Sequence, residues 1–197
     1  MKWTDYFSPR KEQPQFWQEY KAKFKSTTQD LVAFDCETTG LDPRSDRLLS
    51  IGAIRFSNER IYIAQSMELF VRQTDLNEET VAIHGIMPSD AAEAELSEKE
   101  VIIRFLDFIG NAKLVGHHVD FDVAMVNQVL KKLGLGNLKN QKKDTNSLFK
   151  KKHFYPQDQN VSLDEICNKF SIKGSNRHTA LGDAYITAVA YQRLAAM

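Results

Sequence analysis

Three strand-like runs follow one another between Leu31 and Val71, and after them the apolar period lengthens from two residues to that of a helix. This succession constrains the fold more than any other feature of the chain. Leu31-Val32-Ala33-Phe34 is short and wholly apolar, as suits a strand covered on both faces. Arg47–Phe56 and Arg60–Val71 read as two further strands joined by a turn at Ser57-Asn58-Glu59. Beyond them, Glu78–His84 reads as a short helix. Leu96–Glu100 leads into a helix with Val101, Ile102, Phe105, Leu106 and Ile109 on one stripe. Lys113–Gly116 is a brief strand. Val119–Leu133 is a helix with Val123, Val126, Val129 and Leu130 inward, stopped by Gly134. Helices at Thr145–Lys152, Ser162–Phe170 and Thr179–Leu194 complete the pattern. Three antiparallel strands followed by alternating helices and strands predict an α/β domain. Its mixed central sheet would hold about five strands, the first three antiparallel and the additions parallel, flanked by helices. In such sheets ligand sites form beyond the carboxyl ends of the strands.

The 197 residues suffice for one domain with a sizeable core and some chain to spare. Residues 1–29 are expected to form an N-terminal extension, and residues 30–197 the domain. In the extension, Phe16, Trp17, Tyr20 and Phe24 recur at helical spacing behind Pro14, which predicts an amphipathic helix packed on the domain. No apolar run approaches a membrane span, and the N-terminus has no apolar signal-like region. Cys36 and Cys167 lack any paired or metal-ligand spacing, so they read as reduced thiols of a cytoplasmic protein. Charge balances at 26 basic and 26 acidic residues but is unevenly spread. Asp75–Glu100 holds eight acids and one Lys, and Lys131–Lys152 holds eight Lys and one Asp. Such runs are ordinarily solvated faces. The functional reading is a lysine-rich surface that attracts a phosphate backbone, with the acidic stretch turned away.

Asp35 and Glu37 stand at the end of the first apolar run. Alternate strand residues point to one side, so both carboxylates can aim at one point, where hard oxygen ligands suit Mg²⁺ or Mn²⁺. Asp120 and Asp122 lie just after the Lys113–Gly116 strand. Each equally fits a helix N-cap, and spacing alone does not separate them. His178 and Asp183, five apart near the start of the last helix, meet only if His178 lies on a loop or first turn. Taken singly, each residue has an ordinary structural role.

Together, in order, they resemble a known family. Asp35-Cys36-Glu37-Thr38-Thr39-Gly40-Leu41, then Gly116-His117-x-x-x-Phe121-Asp122, then His178-x4-Asp183 resemble the three motifs of the DEDDh 3′–5′ exonucleases, which include the proofreading epsilon subunit of bacterial DNA polymerase III. The likeness runs from about Leu31 to Leu194. Ile83-His84-Gly85-Ile86 and Leu163-Asp164-Glu165-Ile166-Cys167 also match the family. The resemblance implies a ribonuclease H-like fold. It implies two divalent ions, Mg²⁺ or Mn²⁺, held by Asp35, Glu37, Asp122 and Asp183, with His178 as general base. The family's acid follows Phe in the second motif, which selects Asp122 over Asp120. Thr38, Thr39, Gly40 and Leu41, with His84, His117 and Phe121, would contact substrate. Two positions depart from the family: His118 stands where Asn is common, and Ser50 where Glu often precedes Ile-Gly.

The resemblance implies hydrolysis of terminal phosphodiesters of nucleic acid, with release of nucleoside 5′-monophosphates. The Thr-Thr-Gly-Leu form favours DNA. An exoribonuclease of the ribonuclease T or oligoribonuclease type shares the motifs and is the alternative, and a catalytically inactive binding module is a second. The chain ends at Met197 without the tail by which proofreading subunits bind their polymerase. Acting alone and docking through residues 1–29 therefore both stay open.

Overall fold

The structure, a computed structural model, describes residues 12–74, 81, 85–156, 158–174 and 176–197. In chain order the elements are α1 (Gln15–Ala22), β1 (Leu31–Thr38), β2 (Leu48–Phe56), β3 (Ile61–Phe70), α2 (Pro88–Glu93), α3 (Glu98–Ile109), β4 (Lys113–Gly116), α4 (Val119–Lys132), β5 (Lys142–Asp144), α5 (Thr145–His153), α6 (Leu163–Phe170) and α7 (Ala180–Ala195). The sheet has five strands in the order β3-β2-β1-β4-β5. The β1–β2 and β2–β3 pairs are antiparallel, and β1–β4 and β4–β5 are parallel. This is the mixed sheet expected from the sequence.

Helices α3 and α4 cover one face of the sheet, where Val32, Phe34 and Cys36 of β1 join Ile102, Phe105 and Val126 in the main core. Phe34 and Phe105 pack with ring centroids 5.3 Å apart. The opposite face lies under α7, with Ala33, Ile54 and Phe56 against Ala184 and Ala188. Small side chains there bring the helix close to the strands. Each fully buried large apolar side chain contributes about 1.5–3 kcal/mol. Local signals set the helix starts. Ser97 with Glu100, and Ser162 with Glu165, form capping boxes at α3 and α6. Thr179 caps α7 through the N–H of Gly182.

The helix at the N-terminal end packs on the domain, with Trp17 and Tyr20 fully buried. The Tyr20 hydroxyl donates to Asn140 Oδ1 at 2.6 Å and accepts from the Lys139 N–H at 2.8 Å. Asn140 in turn donates to the carbonyls of Gly110 and Ala112. Burial pushes the Tyr20 hydroxyl pKa up to about 12.

Two elements escaped the sequence reading. Strand β5 is Lys-Lys-Asp, with no apolar period, and it exists because β4 offers it a parallel edge. Helix α2 is too short for a periodic signal. The expected helix at Glu78–His84 lies outside the described residues except for Val81. Strand β1 runs on to Thr38, past the apolar run that announced it.

Candidate active site

Strand β1 outlasts its parallel neighbour. Its pairing with β4 ends at Ala33, opposite Val115, whereas its pairing with β2 continues. The projecting end carries Asp35 and Glu37 on the face covered by α7. Directly opposed residues of antiparallel strands share a face, so Asp35 stands beside Gly52 and Glu37 beside Ser50. Gly52 is what lets α7 approach. A Cβ there would lie 2.1 Å from the Leu181 nitrogen and 2.2 Å from the Ala180 carbonyl carbon. The start of α7 therefore rests on the strand itself, and Asp183 is carried to the two β1 acids. Ligand oxygens of Asp35, Glu37 and Asp183 all lie within 4.8 Å of one another. Glu68 of β3, opposite Gly52, accepts from the Leu181 N–H at 3.2 Å and fastens the same helix end.

Asp122 approaches from α4 on the other side. It is buried, at 3% exposure. Its Oδ1 accepts from the Cys36 N–H at 3.0 Å, where β1 has lost β4 as a partner. It lies in the first turns of α4, whose N-cap is His118, so the N-cap role does not fall to it. Asp120 instead faces solvent and pairs with Lys142. Asp35, Glu37 and Asp183 thus form the tight oxygen cluster, and Asp122 adjoins Asp35 from behind.

The electrostatics of the cluster suit a cation. Burial, followed by the charges of Asp122, Glu37 and Asp183, holds the Asp35 carboxyl well above its ordinary range. Glu37 is pushed up to about 7, first by burial and then by Asp183. Asp122 is also raised, mainly by burial. Asp183 Oδ1 is buried without a hydrogen-bond partner among the described residues. Crowded, partly buried carboxylates with an unpaired oxygen among the described residues form a donor set that fits hard divalent ions such as Mg²⁺ or Mn²⁺. Among the described residues, the cation paired with these acids is Arg177. Its Nε donates to Asp164 at 2.8 Å and its Nη1 forms an ion pair with Asp183. The sequence reading missed Arg177, and its place beside His178 is the only signal that pointed to it.

His178 is exposed and lies in the turn just before the Thr179 cap, with φ at 63°. A left-handed residue other than glycine costs about 1–2 kcal/mol, which the surrounding turn must supply. Thr179 Oγ1 donates to the Asn176 carbonyl at 2.9 Å. Gly182 packs so tightly under this turn that a Cβ would fall 1.9 Å from that same carbonyl oxygen. No hydrogen bond joins His178 to the acids among the described residues.

The first-motif loop folds on itself through Asp46, another residue the sequence reading passed over. Thr39 Oγ1 donates to Asp46 Oδ1 at 3.0 Å and accepts from the Arg47 N–H, while Asp46 Oδ2 takes the Asp42 N–H at 2.8 Å. Thr38 Oγ1 donates to the Gly40 carbonyl. Both threonine hydroxyls are thus engaged within the loop, and Leu41 projects from its tip at 86% exposure. His117 is half-buried, its Nδ1 2.9 Å from Thr145 Oγ1, and burial pushes its pKa down to about 4. Phe121 packs against the core beneath. His84 lies outside the described residues. His118 has φ of 59°, a conformation that Asn, Asp and His adopt more readily than other side chains, so the departure from Asn there respects the backbone. Ser50 is buried opposite Glu37 with no partner for its hydroxyl among the described residues. Asp90, Glu93 and Glu95 line an open cleft of about 670 Å³ that also reaches Glu68 and Thr179.

Comparison with known proteins identifies relatives of the whole domain. The exonuclease family (RNase_T) matches residues 32–191. The PolC-type DNA polymerase III of Caldanaerobacter subterraneus subsp. tengcongensis is 36% identical over 160 residues, which are 81% of this chain and 11% of that protein. This chain thus spans about a tenth of the length of such relatives. The DNA polymerase III epsilon subunit of Rickettsia conorii is 30% identical over 169 residues, 83% of this chain and 72% of that one. Among solved structures, E. coli exonuclease I in complex with a dT13 oligonucleotide superposes with a TM-score of 0.74 at 19% identity, covering 85% of this chain and 41% of the other. That likeness is one of fold, and the fold is ribonuclease H-like. With three ordered motifs converging on one strand end and a family match over most of its length, the chain belongs to the exonuclease family.

Proposed function

We propose that this protein is a metal-dependent 3′–5′ exonuclease that removes nucleoside 5′-monophosphates from DNA ends, single-stranded or frayed. The observation that carries this reading is the convergence of Asp35, Glu37 and Asp183 from two elements, with Asp122 behind them, in a site where burial and then mutual repulsion raise the Asp35 and Glu37 carboxyls. These four acids would hold two divalent ions. When bound, such ions neutralise phosphate charge and activate water for in-line displacement. His178, exposed on its strained turn, would take the proton of the attacking water. Leu41, Gly40 and the loop backbone around Thr38 and Thr39 would seat the terminal nucleotide. His117, beside Thr145, and Phe121, on the first turn of α4, would line the substrate side of this site. DNA is favoured by the Thr-Thr-Gly-Leu form of the first motif and by the kinship with DNA polymerase III subunits. We take residues 1–29 to be an extension of a domain spanning 30–197.

The test uses 5′-labelled single-stranded DNA and matched RNA with Mg²⁺ or Mn²⁺, against an EDTA control, Asp35→Ala and His178→Ala. A metal-dependent ladder shortening from the 3′ end is expected. Asp35→Ala should abolish it and lose ion binding. His178→Ala should lower turnover by about 10²–10⁴-fold with ion binding retained. Full activity in Asp35→Ala would overturn the assignment. Degradation of RNA alone would move the substrate to the exoribonuclease alternative, and ion binding without either activity to the inactive-module alternative.

A further inference from the structure

Arg177 is out of keeping with a site that only gathers acids. Its guanidinium lies mostly buried, with the side chain 19% exposed, and it bridges two carboxylates of different standing. Asp164, on the first turn of α6, is 62% exposed and takes the Nε–H at 2.8 Å. Asp183, 11% exposed, faces Nη1 with its Oδ2. The same Asp183 offers one of the three oxygens that lie within 4.8 Å of one another. The guanidinium thus occupies Oδ2 and leaves Oδ1 without a hydrogen-bond partner among the described residues, so an ion that used both oxygens of Asp183 would meet the guanidinium at Oδ2. Guanidinium groups suit this double use, because their donors form a rigid fork that can keep one partner while releasing another.

We propose that Arg177 is a built-in competitor for the metal site: its guanidinium and a divalent ion contend for Asp183, and ion binding displaces Nη1 from Asp183 while Asp164 keeps the Nε. This rests on the metal-dependent reading above. Arg177 directly precedes His178 in a turn where Asn176 and His178 both have positive φ, at 59° and 63°. The pair keeps the crowded acids compatible with folding and lowers the apparent affinity for the ion.

The test is Mn²⁺ binding to the full chain, followed by the electron paramagnetic resonance of free Mn²⁺, for the wild type, Arg177→Gln and Arg177→Lys. Arg177→Gln should bind Mn²⁺ about tenfold more tightly, as expected if the pair occupies Asp183 about nine-tenths of the time. Arg177→Lys, which keeps the charge, should return toward the wild type. Thermal unfolding supplies the second readout. Arg177→Gln should lose stability in EDTA and regain it in saturating Mn²⁺. A purely structural Arg177, tying Asp164 to the turn, would lower stability equally in both conditions and leave Mn²⁺ affinity unchanged, and that result would overturn the proposal. Weaker Mn²⁺ binding by Arg177→Gln would do the same. If Arg177→Gln does not fold, the Arg177 side-chain N–H resonances of the wild type, recorded before and after Mg²⁺ addition, decide the matter: the proposal requires the Nη1–H signals to lose their protection from exchange while the Nε–H keeps its own, and retained Nη1–H protection overturns it. A wild type that binds no Mn²⁺ would overturn the metal-dependent reading and this inference together. A wild type that binds Mn²⁺ with no tightening in the variant overturns this inference alone.

Discussion

Replacing Gly52 by alanine tests whether the approach of α7 to β2 assembles the site. The added Cβ would sit 2.1 Å from Leu181 N, 2.2 Å from Ala180 C and 2.4 Å from Ala180 O, where ordinary contact begins at 3.4 Å. All three are backbone atoms, so no side-chain rotation relieves the clash. The first turn of α7 must retreat by about 1.3 Å, the shortfall from ordinary contact. Asp183 rides on that turn, His178 directly precedes it, and the hydrogen bond from Leu181 to Glu68 spans the gap. A displacement of about 1 Å in a catalytic constellation costs about 10²-fold in rate, and overpacking costs about 1–3 kcal/mol in stability. The assay is initial hydrolysis of labelled single-stranded DNA in saturating Mn²⁺, alongside urea unfolding. Ala53→Gly is the control, since Ala53 lies on the same strand but faces the other core. It should lose about 1 kcal/mol or somewhat more and keep most of its rate. A Gly52→Ala protein with wild-type stability and a rate within about threefold of normal would refute the argument that this contact sets the geometry.

The raised carboxyls predict an unusual pH dependence for the metal-free protein. The folded pKa of Glu37, about 7, lies above its ordinary 4.5, so the folded state holds the extra proton and this group's contribution to stability falls as pH rises between those values. In EDTA, urea unfolding at about pH 8 should give a stability about 2–3 kcal/mol below that at about pH 5 from this group, with Asp35 acting in the same direction. His117, held down to about 4, acts in the opposite direction over the lower part of this range, so the comparison is with Glu37→Gln: the variant should lose about 2–3 kcal/mol of the fall, saturating Mg²⁺ should remove most of the wild-type difference, and an unchanged profile in Glu37→Gln would contradict the raised Glu37 carboxyl. Tyr20→Phe should cost about 1–3 kcal/mol, because it deprives Asn140 Oδ1 and the Lys139 N–H of their buried partner. Hydrolysis per folded molecule should stay unchanged, and a lowered rate at full stability would show instead that the extension reaches the site.

Much of the site could be read from the order of residues, because strand periodicity is local. Alternation along β1 places Asp35 and Glu37 on one side whatever else the chain does, and the succession of strand and helix periods leads to a mixed α/β sheet. The choice between Asp120 and Asp122 was not local. Only the departure of β4 from β1 after Ala33 leaves the Cys36 N–H for a carboxylate to accept, and it is Asp122 that reaches it while Asp120 turns out to Lys142. Strand β5 likewise has no signature of its own, since a neighbour's open edge and not hydrophobicity makes Lys-Lys-Asp a strand. Asp46, Glu68 and Arg177 were invisible for a related reason: their roles are hydrogen bonds and ion pairs across the fold, and an isolated charged residue in a sequence carries no mark of its partner. The sequence alone determined which atoms were available for chemistry at the end of β1. The distance at which Asp183 and Arg177 meet those atoms was decided by tertiary packing, through a glycine on β2 against which the last helix can rest.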